Sequence, residues 1–191
     1  QGDWFGREVA IDGNTVIVSA PYSNVGGNNR GAVYVFTLIN KNWLQTAKLT
    51  ANDGRDGAFF GASISIDRDT LIVGASDDAA LARSSGSAYI FTLSNNEWQQ
   101  TAKLTANDGA EGDRFGNSVA IDGSTAIVAA LKEGPNTGAF SDARNRIGSA
   151  YVFEQIDGAW QQTAKLNSAD GVEGDAFGYR LALNANNLVV S

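Results

Sequence analysis

The sequence contains no cysteine, no histidine and no methionine in 191 residues. Without cysteine there are no disulfides and no thiolate chemistry. Without histidine, Ser-His and Cys-His nucleophilic systems, ordinary zinc sites and histidine-ligated haem are excluded too. Basic residues are outnumbered, 14 Lys and Arg against 21 Asp and Glu, for a net charge of −7. Such a surface repels phosphate backbones and no basic cluster offsets it, so nucleic acid is not an expected partner. No apolar run approaches the roughly 18 residues of a membrane span. No secretory leader is visible. The chain opens at Gln1 and reads as a processed product or a piece of a longer protein.

What is present describes a folded chain with many turns. Apolar residues make up 43% and charged residues 18%, which is globular composition and not that of a disordered segment. Glycine is abundant, proline is nearly absent, and the polar stretches are rich in Asn and Asp. That combination predicts short strands joined by tight turns.

The dominant signal is an internal repeat of about 55 residues, present three and a half times. Phe5-Gly6 returns as Phe60-Gly61, Phe115-Gly116 and Phe177-Gly178. Gly31 to Phe36 returns as Gly86 to Phe91 and Gly148 to Phe153. Trp43 returns as Trp98 and Trp160, and Ala47-Lys48-Leu49 as Ala102-Lys103-Leu104 and Ala164-Lys165-Leu166. The third unit's extra residues fall between Ala130 and Gly148. The units run approximately 1–55, 56–110, 111–172 and 173–191, within a single region.

Each unit divides into four strands, in the first over Glu8–Ile11, Thr15–Ser19, Ala32–Leu38 and Trp43–Thr50. The Asp12-Gly13-Asn14 segment is hairpin chemistry. In the second unit's fourth strand, strict alternation predicts Trp98, Gln100, Ala102 and Leu104 on one face. The denser aliphatic runs of the first two strands place them deep, with the fourth strand outermost. The expected fold class is all-β: a β-propeller of four-stranded antiparallel blades, with about 3.5 blades present out of a seven-bladed ring.

Phe-Gly, then Val-Ala-Ile-Asp-Gly, Val-Ile-Val-Ser-Ala-Pro and Gly-x-x-Tyr-x-Phe resemble the FG-GAP repeat, best over Phe5 to Pro21. The added Trp and Ala-Lys-Leu strand is similar to the variety found in bacterial extracellular and surface proteins. The resemblance, which also extends to the integrin α head, implies a non-catalytic, extracellular or cell-surface module for adhesion and binding. Many such repeats carry a calcium loop in the first hairpin. Here Asp12-Gly13-Asn14, Asp67-Arg68-Asp69, Asp122-Gly123-Ser124 and Asn184-Ala185-Asn186 are too short to wrap an ion, so no cofactor is expected.

Three sets of residues are candidates for function. The acidic linkers, such as Asp53 to Gly57 and Asp108 to Asp113, have carboxylates for a cation, but their recurrence favours a turn role. The loops between strands two and three, over 22–30, 77–85 and 132–147, vary from unit to unit and are the expected ligand-binding surface. Their candidate contacts are Asn28, Arg30, Asp77, Asp78, Arg83, Lys132, Phe140, Asp142 and Arg144. The repeated tryptophans are assigned to packing between blades. Trp4 stands apart, because its equivalents are Phe59, Arg114 and Ala176, and it is assigned to a surface.

A protein or glycan ligand is the expected partner, with no nucleic acid and no membrane span. Self-association, or the rest of a longer chain, would complete the ring. The alternatives are a self-assembling structural module and the scaffold of a carbohydrate-active enzyme. No Asp or Glu stands out from the repeat background as catalytic.

Overall fold

In a computed structural model, residues 2–132, 147–172, 174–185 and 187–191 are described. The expected Phe140, Asp142 and Arg144 lie outside these residues. The first sheet comprises β1 (Val9–Asp12), β2 (Thr15–Ala20), β3 (Ala32–Ile39) and β4 (Asn42–Leu49). The second comprises β5 (Ser63–Asp67), β6 (Thr70–Ala75), β7 (Ser87–Ser94) and β8 (Glu97–Leu104). The third comprises β9 (Phe115–Asp122), β10 (Thr125–Ala130), β11 (Ser149–Ile156) and β12 (Ala159–Leu166). The fourth unit contributes β13 (Leu181–Asn184) and β14 (Asn187–Val190). Each sheet is an antiparallel meander in chain order, so every neighbour is joined by a hairpin or a loop.

Local chemistry explains the hairpins. The outer turns put both central residues at positive φ: Asn40 and Lys41, Asn95 and Asn96, Asp157 and Gly158. These are type I′ turns, whose twist matches the flanking strands and whose first position suits Asn or Asp. The inner turns have two residues between paired Asp12 and Thr15, Asp67 and Thr70, and Asp122 and Thr125.

The core is not inside the sheets but between them. One apolar cluster joins Ile17, Val33, Val35 and Leu49 of the first sheet to Phe60, Leu71, Val73 and Tyr89 of the second unit. The next joins Ile72, Ile90 and Leu104 of the second sheet to Phe115, Val119, Val128 and Tyr151 of the third unit. Alternate residues of β6 and β7 therefore serve opposite joints, and the second sheet is buried on both faces.

The alternation expected of the fourth strand is corrected here. Ile90 pairs with Ala102 but Phe91 pairs with Gln100, so Thr101 is an inserted residue. The same bulge recurs at Thr46 and Thr163. A bulge of one residue switches the face of everything beyond it. Trp98 thus packs into the joint with the first sheet, whereas Ala102 and Leu104 pack into the joint with the third.

Polar bonds close each joint. The Asp12 carboxylate accepts the Arg68 backbone N–H of the next inner turn, and the Asp67 carboxylate accepts that of Gly123 at 2.7 Å. Asp122 does the same for Ala185. The backbone N–H groups of Phe60 and Phe115 donate to the Arg30 and Ser85 carbonyls, both at 3.0 Å. The hairpin acids are therefore latches between units.

Candidate binding cleft

Each Phe-Gly motif sits in a tight turn whose first residue has left-handed backbone. Trp4, Phe59, Arg114 and Ala176 have φ of 55°, 55°, 58° and 56°. Each carbonyl accepts the N–H three residues on, from Arg7, Ala62, Asn117 and Tyr179 respectively. Left-handed backbone costs a non-glycine residue about 1–2 kcal/mol, and in the second and third units the turn is held by burial of the Phe that follows, Phe60 or Phe115. The turn delivers two side chains in each of the first three units, and Tyr179 in the fourth, to one end of the stack. A third comes from the second residue beyond the second strand, Tyr22 or Asp77.

These positions are equivalent in backbone and different in chemistry. All of them but Ala176 line an open cleft of about 450 Å³ together with Glu8, Ser76 and Arg180. On one side the ring of Trp4 lies 4.4 Å from that of Tyr22, which lies 4.8 Å from Phe59. The Arg7 guanidinium sits over the indole of Trp4, 5.9 Å from its centroid. On the other side Arg114 Nε stands 3.4 Å from Asp77 Oδ1. Arg180 lies over the Tyr179 ring at 5.3 Å and 3.7 Å from Glu8 Oε1, so the fourth unit reaches the first across the cleft.

The residues expected to bind ligand are not gathered in one place. Asp77 lines the cleft. Asp78, its neighbour, is fully buried in a joint. Arg30 pairs with Asp56 at 2.8 Å, and the Asn28 carbonyl accepts the Gly57 N–H, so both hold the next linker. The Arg83 carbonyl similarly accepts the Gly112 N–H, while its side chain is exposed. Lys132 donates its backbone N–H to Asp113. Sequence reasoning missed Arg7, Tyr22, Phe59, Arg114 and Arg180. The readable signal is disagreement at equivalent positions, as among Trp4, Phe59, Arg114 and Ala176.

The FG-GAP repeat pattern matches residues 1–36, 43–91, 98–153 and 160–191. The chain belongs to the FG-GAP repeat family. The FG-GAP segments are interrupted only at the outer hairpins, so 43–91 and 98–153 each carry an outer strand on into the next sheet's first three strands, and 160–191 carries β12 on into β13 and β14. The family's unit thus straddles a joint. FG-GAP repeats are generally non-catalytic protein-interaction modules. No curated protein matches the chain. A chain of a solved S. cerevisiae assembly, a Dbp5 variant bound to Nup159 with a Gle1 variant, IP6 and ADP, is 16% identical with a TM-score of 0.48. The match covers 89% of this chain and 40% of that one, so this chain spans less than half the length of the matched chain.

The recurring polar residues of the FG-GAP unit meet inside the joints. Tyr89 donates its hydroxyl to Asp53 at 3.0 Å and to Asp78 at 3.2 Å. Lys103 Nζ lies 2.5 Å from Asp53 and 2.8 Å from Asp78, and Ser87 also donates to Asp78. In the third unit Tyr151 and Lys165 meet Asp108 at 3.0 and 2.6 Å. Burial, reinforced by the adjacent carboxylates, pushes the Tyr89 hydroxyl far above the usual tyrosine range. Burial alone would raise Asp53 and Asp108. Bonds from the lysine and tyrosine outweigh it and hold both below the usual carboxylate range. Asp53 and Asp108 are therefore committed to protein donors. Among the described residues no group of three or more His, Cys, Asp or Glu is placed to hold a metal, and no helix is long and apolar enough to cross a membrane.

Proposed function

We propose that this chain is a non-catalytic adhesion or binding module acting outside the cell. Its units are blades of a β-propeller, about 3.5 of a seven-bladed ring, and 1–191 is one such region. The ligand is a protein or glycan taken at the cleft end. The observation that carries this reading is the contrast between one rigid turn, repeated four times, and the different side chains it presents. A strained, repeated backbone delivering dissimilar groups to one opening suits recognition. The reach of Arg180 to Glu8 supports curvature of the inner strands about an axis. The extracellular assignment rests on family membership.

A second reading, structural self-assembly, draws on the bare face of the first sheet, where Phe5, Val9, Ile11 and Trp43 are exposed. A combined glycan and protein array separates the two. Saturable binding lost in a Trp4→Ala, Arg114→Ala double variant is the expected result. Concentration-dependent assembly, with no array ligand sensitive to those substitutions, would replace the binding reading with the structural one.

A further inference from the structure

Openings of two kinds are found among the described residues. Grooves of about 480 and 380 Å³ lie beside Trp98 and Trp160, and their linings match position by position: Lys48, Asn52 and Gln100 against Lys103, Asn107 and Gln162. In each, the glutamine accepts the asparagine's backbone N–H, at 2.9 and 3.0 Å. These grooves are seams of the repeated joint. The cleft at the Phe-Gly turns does not repeat in this way: its lining changes from unit to unit.

The cleft also departs from the rest of the chain in charge. The protein carries a net −7, yet this opening has three guanidinium groups against two carboxylates. Arg7 forms no ion pair among the described residues; its plane is held against Trp4. An arginine fixed by its face keeps its fork of N–H donors free for a carboxylate approaching edge-on. The ion pairs of Arg114 and Arg180 are long, at 3.4 and 3.7 Å, and their side chains are 40% and 64% exposed. Both can turn toward an incoming anion.

The remainder of the lining suits a sugar. Trp4 is 54% exposed and offers apolar ring surface beside the Arg7 donors. Asn117, Ser76, Asp77 and Glu8 supply donors and acceptors for hydroxyl groups around it. An enclosed apolar cavity would select a hydrophobic body, whereas an open cleft with an aromatic platform and polar rim selects an amphipathic one. The local excess is one positive charge and the surrounding field is negative. That balance suits a single carboxylate and disfavours a polyanion.

Resting on the binding reading above, we infer that the cleft takes a glycan carrying one carboxylate-bearing sugar, a hexuronic or nonulosonic acid. Arg7 grips the carboxylate and Trp4 stacks on the ring. The test is calorimetric titration of the whole chain with sialyllactose and with a glucuronate-capped trisaccharide, each beside its methyl ester. At least one acid should bind ten times or more tighter than its ester. Arg7→Ala should weaken it about tenfold, Arg7→Lys less, and Trp4→Ala should abolish it. Arg30→Ala, whose side chain pairs with Asp56 and does not line the cleft, should leave it unchanged. Because Trp4 and Arg7 are exposed, unchanged denaturation midpoints will show that these variants still fold.

Acid and ester binding equally, neither acid binding at millimolar concentration, or binding indifferent to Arg7 and Trp4 would each overturn the inference. Should an array find a peptide or neutral glycan whose binding fails in the same variants, this inference falls while the binding reading stands.

Discussion

Phe5 and Phe60 occupy the same place in the repeat, but Phe5 is 57% exposed and Phe60 is 1% exposed. Both make edge-to-face contacts with the tyrosine and phenylalanine of their own third strand. The difference is the neighbouring sheet, which covers Phe60 and leaves Phe5 bare. The Phe-Gly motif therefore contributes to the fold mainly through the joint and much less through its own sheet. That comparison yields graded tests, read by chemical denaturation with more than one probe, since repeat arrays need not unfold in one step.

The largest expected effect is at the covered phenylalanine. Phe60→Ala should cost about 3–5 kcal/mol, the range for a large buried aromatic, and Phe5→Ala less than about 1 kcal/mol. Equal losses would mean that the joint is not the source of stability. Next is the glycine. A Cβ on Gly116, at φ +90°, would stand 2.2 Å from the Ser87 carbonyl oxygen of the preceding sheet. Gly116→Ala should cost about 1–2 kcal/mol for backbone strain and about 1–3 kcal/mol more for the forced shift. Gly6, at φ +87°, meets nothing within 4 Å, so Gly6→Ala should show only the strain.

The tyrosine cluster gives a smaller effect with a pH signature. Tyr89→Phe removes a donor from buried Asp78 and should cost about 1–2 kcal/mol, while Tyr34→Phe, which has no described acceptor, should be near neutral. Asp53 and Asp108 titrate lower in the folded than in the unfolded chain. A depressed carboxylate contributes stability that is present above the unfolded value, near pH 4, and is lost as pH falls through the folded one. Denaturation midpoints should therefore drop on acidification below about pH 4. Lys103→Met should shrink that drop, because it removes the main bond that lowers Asp53.

Most of the fold was legible because the repeat forces its elements into register. Strand bounds such as Thr15–Ala20 and Ala32–Ile39 lie within a residue or so of those read from alternation and turn residues. The bulge was not legible. Trp98, Gln100, Ala102 and Leu104 alternate in sequence, and only backbone pairing reveals that Thr101 divides them between two joints. The cleft was half legible. Variation among Trp4, Phe59, Arg114 and Ala176 is written in the sequence, but the convergence of the first three on the cleft depends on a left-handed turn before Phe-Gly. No composition rule predicts Trp, Phe and Arg in that conformation, which they adopt at a cost. Attention to loop variability instead favoured Asn28 and Arg30, which the structure uses to hold the next linker.

The smallest expected effect isolates the latch from the packing. Asp67 Oδ2 accepts the Gly123 N–H at 2.7 Å and also pairs with Arg68, 2.8 Å away and on the surface. Bonds from Arg68, then from Gly123, hold its carboxyl below the usual range. Asp67→Ala should cost about 1 kcal/mol, as one lost charge-assisted acceptor. Asp67→Asn keeps an acceptor for the turn and gives up only the exposed ion pair, which is worth little in solvent. It should retain most of the stability. Asn184, the equivalent in the fourth unit, bonds no described turn, so Asn184→Ala should change almost nothing. Raising salt separates the parts further, because it screens the Arg68 pair and leaves the backbone bond intact. If Asp67→Asn falls as far as Asp67→Ala and both losses vanish in high salt, the acid acts through Arg68 alone, and the joint between second and third sheets is held by its apolar face without the latch.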